Sequence, residues 1–312
     1  MIGFAVGLVL AAVLVVIREL LDISIHKEED ITQCCKYPVL SAVPDLFLRA
    51  KGGYYYGYGQ QAKPAAKGGK QSKLVGGNIS FAAAEAYKLL RTKLLFSFTD
   101  EQECHVIGVS SALPGEGKSI SSINLAYSMA QLGKRVLLID CDLRRPSLTE
   151  KLPINKTPGL SDYLVGLSPI DNLIQICGLK EDVYVFHVIA PGRTPPNPME
   201  LLSSAKMEKM VNLLRNNYDY IILDLPPVGE VSDALAAARL TDGMLVVVRQ
   251  NYCDRIALNT AVRQFEFVDA KILGVVFNGT TEENKKYYRR YYGSYYGKKK
   301  SYANPGTQKP GK

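Results

Sequence analysis

The chain has no tryptophan, only three histidines, and six cysteines among its 312 residues. Cys34, Cys35, Cys104, Cys141, Cys177 and Cys253 form no Cys-x-x-C pair, and no histidine stands at metal-ligand spacing from them. That excludes a zinc site and a disulfide scaffold; the thiols read as reduced and mostly buried, in a cytosolic domain. The adjacent Cys34-Cys35 pair fits lipidation or ordinary packing. Acidic residues are missing from one place: none lies between Lys285 and the C-terminus. Nine of the 38 Lys and Arg do, which leaves 29 against all 30 acids in residues 1–284. The formal charge of +8 therefore belongs to the tail, while the body is close to neutral.

Charge is also absent from Met1 to Ile17, and Arg18 ends the run. No basic residue precedes it, so a cleaved signal peptide fits poorly. At about 1.5 Å per residue it spans about 25 Å, the short end for a membrane helix. Leu20 and Leu21 extend it if Arg18 snorkels to the interface. A buried core helix is the other reading on length, and a transmembrane helix over 1–21 is the one we expect. Arg18, Lys27 and Lys36 on its C-terminal side place the remainder in the cytoplasm. Residues 22–46 then read as a juxtamembrane segment with an extended end, Tyr37 to Pro44. The Gly-, Lys-, Gln- and Ala-rich stretch over 47–79 reads as a flexible linker.

From residue 80 the pattern is that of a folded body. A helix over Phe81 to about Phe96, capped by Ser80, carries Glu85, Lys88 and Arg91 along one side. Short apolar strands at 106–109, 135–139, 184–190, 220–223, 243–248 and 272–277 then alternate with helical stretches. This alternation predicts an α/β fold with a mostly parallel sheet covered by helices on both faces.

After the strand Val106–Val109 the chain reads Ser-Ser-Ala-Leu-Pro-Gly-Glu-Gly-Lys-Ser. A β-branched strand, a tight Gly/Pro turn and Lys-Ser opening a helix is the construction of a phosphate-binding P-loop, with Ala112 in place of its usual first glycine. Pro114, Gly115, Glu116, Gly117, Lys118, Ser119 and Ile120 are the expected nucleotide contacts. Lys118 reaches the outer phosphates and Ser119 is a ligand for Mg²⁺. Two further apolar strands end in acids, at Asp140 with Asp142 and at Asp224. Strand-end carboxylates beside a P-loop face Mg²⁺ and the γ-phosphate, so Asp142 and Asp224 are metal candidates. Asn278 ends the last strand and is either an adenine contact or a turn residue.

With Asp140-Cys-Asp142-Leu-Arg144-Arg145, Pro-Gly-Glu-Gly-Lys-Ser and Ile-Ile-Leu-Asp224, the chain resembles the bacterial protein-tyrosine kinases of capsule and exopolysaccharide synthesis. The likeness covers about residues 80–300. It implies a P-loop kinase domain over 80–281 that uses ATP and Mg²⁺, with catalytic Lys118, Asp140 and Asp142. Asp140 is the expected acceptor of the tyrosine proton, although the two acids are exchangeable. It also implies that the tail, 282–312, is substrate through Tyr287, Tyr288, Tyr291, Tyr292, Tyr295, Tyr296 and Tyr302, phosphorylated by a neighbouring subunit. Glu85, Lys88 and Arg91 are similar to the family's E-x-x-R-x-x-R oligomerisation motif, with Lys88 in place of the first arginine. The implied partners are a ring of identical chains, a membrane adaptor or chain-length protein, the polysaccharide export or synthesis machinery and a cognate phosphatase; nucleic acid is not expected. Met1–Pro44 is similar to the last membrane helix and following segment of such adaptors. The competing reading is a partition- or division-type P-loop ATPase switch binding membrane or DNA. Those proteins usually carry a lysine where this chain has Leu113.

Overall fold

The computed structural model describes residues 22–45, 80–98, 102–178 and 184–281, with positions 4, 7 and 13 in isolation. The linker 47–79, the tail with its seven tyrosines and most of the N-terminal apolar run lie outside the described residues. Among the described residues, no helix is long and apolar enough to cross a membrane.

In chain order the elements are α1 (Glu28–Cys34), β1 (Val39–Pro44), α2 (Phe81–Ser97), β2 (His105–Ser111), α3 (Lys118–Ala130), β3 (Val136–Asp140), α4 (Leu148–Lys151), α5 (Leu160–Leu164), β4 (Ile174–Gly178), β5 (Val185–Ile189), α6 (Pro198–Leu202), α7 (Ala205–Arg215), β6 (Tyr220–Asp224), α8 (Asp233–Ala238), β7 (Gly243–Arg249), α9 (Arg255–Phe267) and β8 (Ile272–Thr280). The strands form one eight-stranded sheet in the order β1-β8-β7-β2-β6-β3-β5-β4. Every pairing is parallel except β4 with β5.

Alternate residues of the strands divide the core between two faces. Ile107, Val109, Leu138, Ile222, Val247 and Val276 turn toward α2 and α3, where they meet Tyr87, Leu90, Ile123 and Tyr127. Val106, Ile139, Ile221, Val246 and Phe277 turn the other way, toward Met210 and Leu214 of α7 and Leu258 and Phe265 of α9. The central strands are covered on both sides, which is why they read as unbroken apolar runs.

Two segments add edge strands that the sequence reading did not name. Residues 22–45, read as a juxtamembrane segment, join the body: α1 packs on it, and β1 pairs with β8 as the sheet's edge strand. The period was hidden because Val39–Pro44 is short and is closed by a proline, tolerated at an edge. Nearby backbone joins the same segment to the β7–α9 loop, through Ile25 N to Cys253 O (2.9 Å), Asn251 N to Ile25 O (2.9 Å) and Arg255 N to Ile23 O (3.1 Å). The second segment is β4, an antiparallel edge strand whose sequence, Ile-Gln-Ile-Cys-Gly, alternates too briefly to stand out.

If β1 is integral to the body, Leu40→Ala, at a side chain 5% exposed beside Tyr87 and Leu90, costs about 2–5 kcal/mol, read as a lower urea midpoint at unchanged slope. A cost below about 1 kcal/mol would make the strand peripheral.

Candidate active site

The sheet registers bring the chemistry-bearing residues to one edge. Val109 pairs with Asp224 across β2 and β6, and Asp140 pairs with Asp224 across β3 and β6. The P-loop leaves β2 at that edge, where ligands bind in parallel α/β sheets.

The loop is shaped from inside by an acid. Glu116 is fully buried; its Oε2 accepts from Leu113 N (2.7 Å) and its Oε1 from Arg249 N (3.3 Å). Burial pushes its pKa up, against those amide bonds. Outside the loop, Tyr252 Oη donates to Pro114 O (2.9 Å), Arg249 Nη1 to Gly115 O (3.2 Å) and Asn278 Nδ2 to Glu116 O (2.7 Å). The loop carbonyls are thereby turned outward onto donors. Gly115 and Gly117 take φ of 80° and 96°, the left-handed region that glycine adopts without strain.

The helix that follows has an open end. Ser80, Ser204 and Asp254 cap α2, α7 and α9 by accepting from the amides of Ala83, Met207 and Ala257. At α3 the N-cap is Gly117, with no side chain to do so. Its first amides are left for an anion, which the positive helix end favours.

Lys118 is 9% exposed. Its Nζ lies 2.8 Å from Asp142 Oδ2, 3.9 Å from Asp224 Oδ1 and 3.5 Å from Ser119 Oγ. Burial opposes its charge, but Asp224 and Asp142, with Asp140 behind them, outweigh that and raise its pKa. Asp140 is fully buried; Oδ1 accepts from Asp142 N (3.1 Å) and Oδ2 from Leu148 N (3.2 Å). Burial, then the nearby Asp224 charge, raises its pKa. Asp142 Oδ1 accepts from Arg145 N (2.9 Å). Asp224 is also pushed up by burial, opposed by Lys118; its Oδ1 accepts from Ser122 Oγ (3.1 Å), and its Oδ2 is buried with no hydrogen-bond partner among the described residues.

These groups stand at a cavity of about 510 Å³. Of the residues expected from sequence, Pro114, Gly115, Gly117, Lys118, Ser119, Ile120, Asp142 and Asn278 line it. Glu116, Asp140 and Asp224 lie behind that wall. Asn278 serves the loop as well as the cavity, since its amide nitrogen is engaged by Glu116 O. Arg144 is held by both oxygens of Asp233 (2.6 and 3.0 Å), and the exposed Arg145 pairs with Glu230 at 3.5 Å. On α2, Lys88 pairs with Glu85 at 2.7 Å, whereas Arg91 turns inward and donates to Ser128 O (2.7 Å) near the end of α3. The structure therefore separates that trio into an outward pair and an inward clasp. Sequence reasoning missed Asp45, Ser147, Lys151, Glu230 and Arg249 on the cavity wall, and Tyr252 over the loop. Arg249 and Asp45 end strands at the ligand-binding edge, so strand-end position was the available signal.

The donor set suits Mg²⁺. Ser119 and Asp224 offer the hard oxygens that ion prefers, and Asp224 Oδ2 is a buried acceptor without a donor among the described residues. Among the described residues no three His, Cys, Asp or Glu side chains are grouped to hold a metal ion by themselves. Mg²⁺ needs none when phosphates and water complete its shell.

A shaped Gly loop, an uncapped buried helix and strand-end acids on a parallel sheet define a P-loop NTPase. Residues 104–271 match the AAA domain family. Tyrosine-protein kinase YwqD of Bacillus subtilis (strain 168) is 35% identical over 196 residues, 63% of this chain and 81% of that protein. Tyrosine-protein kinase etk of Escherichia coli (strain K12) is 34% identical over 202 residues, which are only 27% of its length. The solved kinase domain of Escherichia coli tyrosine kinase ETK superposes with a TM-score of 0.69 at 28% identity, covering 82% of this chain and 94% of that one. The chain belongs to the family of bacterial tyrosine-protein kinases.

Gly117→Ala tests the loop. A Cβ there falls 2.1 Å from Asn278 Nδ2, on a left-handed φ. We expect ATP affinity at least about tenfold weaker by fluorescent-nucleotide titration, about 1.4 kcal/mol. Gly133→Ala, also left-handed but facing open space, should leave affinity unchanged.

Proposed function

We propose that this chain is an ATP-dependent tyrosine autokinase that phosphorylates the C-terminal tyrosine cluster of a neighbouring copy and so regulates capsular or exopolysaccharide synthesis and export. The observation that carries the chemistry is Lys118, desolvated and paired with Asp142 at the wall of the P-loop cavity. Family membership and the tail composition supply the direction of transfer.

Phosphoryl transfer asks a protein for positioning and charge neutralisation. In the resting chain Lys118 is bound to Asp142. Triphosphate bound at the α3 amides competes for that ammonium, and Lys118 moving to the β/γ oxygens frees the Asp142 carboxylate. Ser119, Asp142 and Asp224 are the residues that would hold Mg²⁺, which supplies neutralisation of phosphate charge. A tyrosine hydroxyl has a free pKa of about 10, so its proton needs an acceptor as attack begins. That acceptor belongs to the Asp140–Asp142 pair. Asp142 presents its side chain to the cavity, and Asp140, buried behind it, holds the turn through Asp142 N. Asn278 lies at the P-loop end of the cavity and is our choice for the base contact.

Placement at a membrane is supported by the apolar run Met1–Ile17, and an adaptor-like segment by the way residues 22–45 join the catalytic body. Assembly into a ring is supported by the outward Glu85–Lys88 pair, with Arg91 supporting it from within by bracing α2 on α3. Each phosphotyrosine adds about −1.5 to −2 charges at pH 7. Seven of them against nine basic residues would reverse the sign of the tail and release it from an acidic docking site.

Incubation with labelled ATP and Mg²⁺ should put label on tail tyrosines of the wild type and none on Lys118→Met. Phosphate release without protein labelling would instead indicate the ATPase switch. Replacing the seven tail tyrosines by Phe should abolish most labelling. Asp140→Asn and Asp142→Asn should each lower the rate by about 10²-fold or more, while Asp224→Asn should raise the Mg²⁺ concentration needed for half-maximal rate.

A further inference from the structure

We propose that Lys151 is a second catalytic cation, contacting the γ-phosphoryl group as it passes from ATP to the acceptor tyrosine. This deepens the kinase reading and rests on it.

Lys151 is the last residue of α4 and lines the cavity together with Lys118, Ser119 and Asp142. It is half-buried, and its Nζ donates to Ser147 O at 3.1 Å. Among the described residues it has no carboxylate partner at ion-pair distance, in contrast to Lys118 with Asp142. Burial drives its pKa down, and the more distant Asp224 charge only partly offsets this. A half-buried ammonium with no acid at ion-pair distance among the described residues, on the wall of an anion-binding cavity, gains from an anion in that cavity.

The other cations of the wall are committed elsewhere. Arg144 is clamped by Asp233, Arg145 is exposed beside Glu230, and Arg249 is bonded to the P-loop carbonyl of Gly115. The loop itself offers no second lysine, because position 113 is a leucine packed against the core. Lys118 and Lys151 remain, one at the start of α3 and one at the end of α4.

The position of Lys151 is fixed by the same acid that fixes Asp142. Asp140 accepts from Asp142 N with one oxygen and from Leu148 N, at the start of α4, with the other. One buried carboxyl thus orients a carboxylate and a cation toward a common space. In the transfer the bond from the γ-phosphorus to the ADP oxygen breaks, with the electron pair leaving on ADP. A bond to the tyrosine oxygen forms, and the phenolic proton goes to the Asp140–Asp142 pair. Lys151 keeps its proton throughout and neutralises charge on the equatorial oxygens, which is greatest in flight.

The full chain carrying Lys151→Met, which preserves the length and apolar stem, should lose about 10²-fold in autophosphorylation rate while its affinity for ATP stays within about twofold of wild type. Lys151→Arg should recover most of the rate. Independently of any acceptor tyrosine, Lys151→Met should weaken binding of ADP with Mg²⁺ and aluminium fluoride, a planar mimic of the group in flight, and leave binding of ADP alone unchanged. An undiminished rate in Lys151→Met, an equal loss of ATP affinity and rate, or unaltered binding of the aluminium fluoride complex would each overturn the assignment. If the wild type fails to label tyrosine yet the aluminium fluoride difference persists, the kinase reading falls and the cation's role stands.

Discussion

One ammonium holds the catalytic edge together. Lys118 is almost fully buried, with Asp142 against it and Asp224 within ion-pair distance; Asp140 is next to both. Two strands and a helix deliver these charges, so the sheet order and the P-loop are the means by which one cation meets its acids. Removing one partner of a buried ion pair commonly costs about 3–5 kcal/mol, because the remaining charge has neither water nor a counter-ion. The raised pKa of Asp140 and of Asp224 shows the same strain from the acid side. A phosphate chain brings negative charge to a site already crowded with it. As proposed, it would meet the α3 amides and Lys118, with the oxygens of Ser119 and Asp142 on the same wall.

The catalytic half of the fold was legible because its determinants are local. A strand buried on both faces must be continuously apolar, as in Val136–Ile139 and Tyr220–Leu223, and a tight turn before Lys-Ser needs glycine. Asp140, Asp142 and Asp224 are strand-end residues, so parallel topology alone brings them together. The parts that were not legible depend on partners distant in sequence. β1 is a strand because β8 supplies its hydrogen bonds more than two hundred residues later. β4 exists only as an antiparallel neighbour of β5.

Within the site, sequence located the residues that line the cavity better than those that shape the loop beside it. Glu116 was expected among the nucleotide contacts, yet it points into the protein and braces the turn through Leu113 N and Arg249 N. Asn278 was expected at the base, and part of its hydrogen bonding supports the loop. Tyr252 had no motif to mark it, because a hydroxyl reaching a P-loop carbonyl depends on how β7 turns into α9. Asp140 and Asp142, exchangeable as letters, are distinct in place: one is a buried brace and the other faces the cavity.

The seam between residues 23–26 and the β7–α9 loop has a mechanical consequence. Ile23 and Ile25 are bonded to Cys253, Asn251 and Arg255, and the same loop reaches the P-loop through Tyr252 and Arg249. Residues 23–25 are therefore linked to the phosphate cradle through backbone hydrogen bonds and two side chains, Tyr252 and Arg249. In kinematic terms the P-loop is tied to the segment that precedes α1. A load on residues 23–25 is thereby passed to the β7–α9 loop that braces the P-loop.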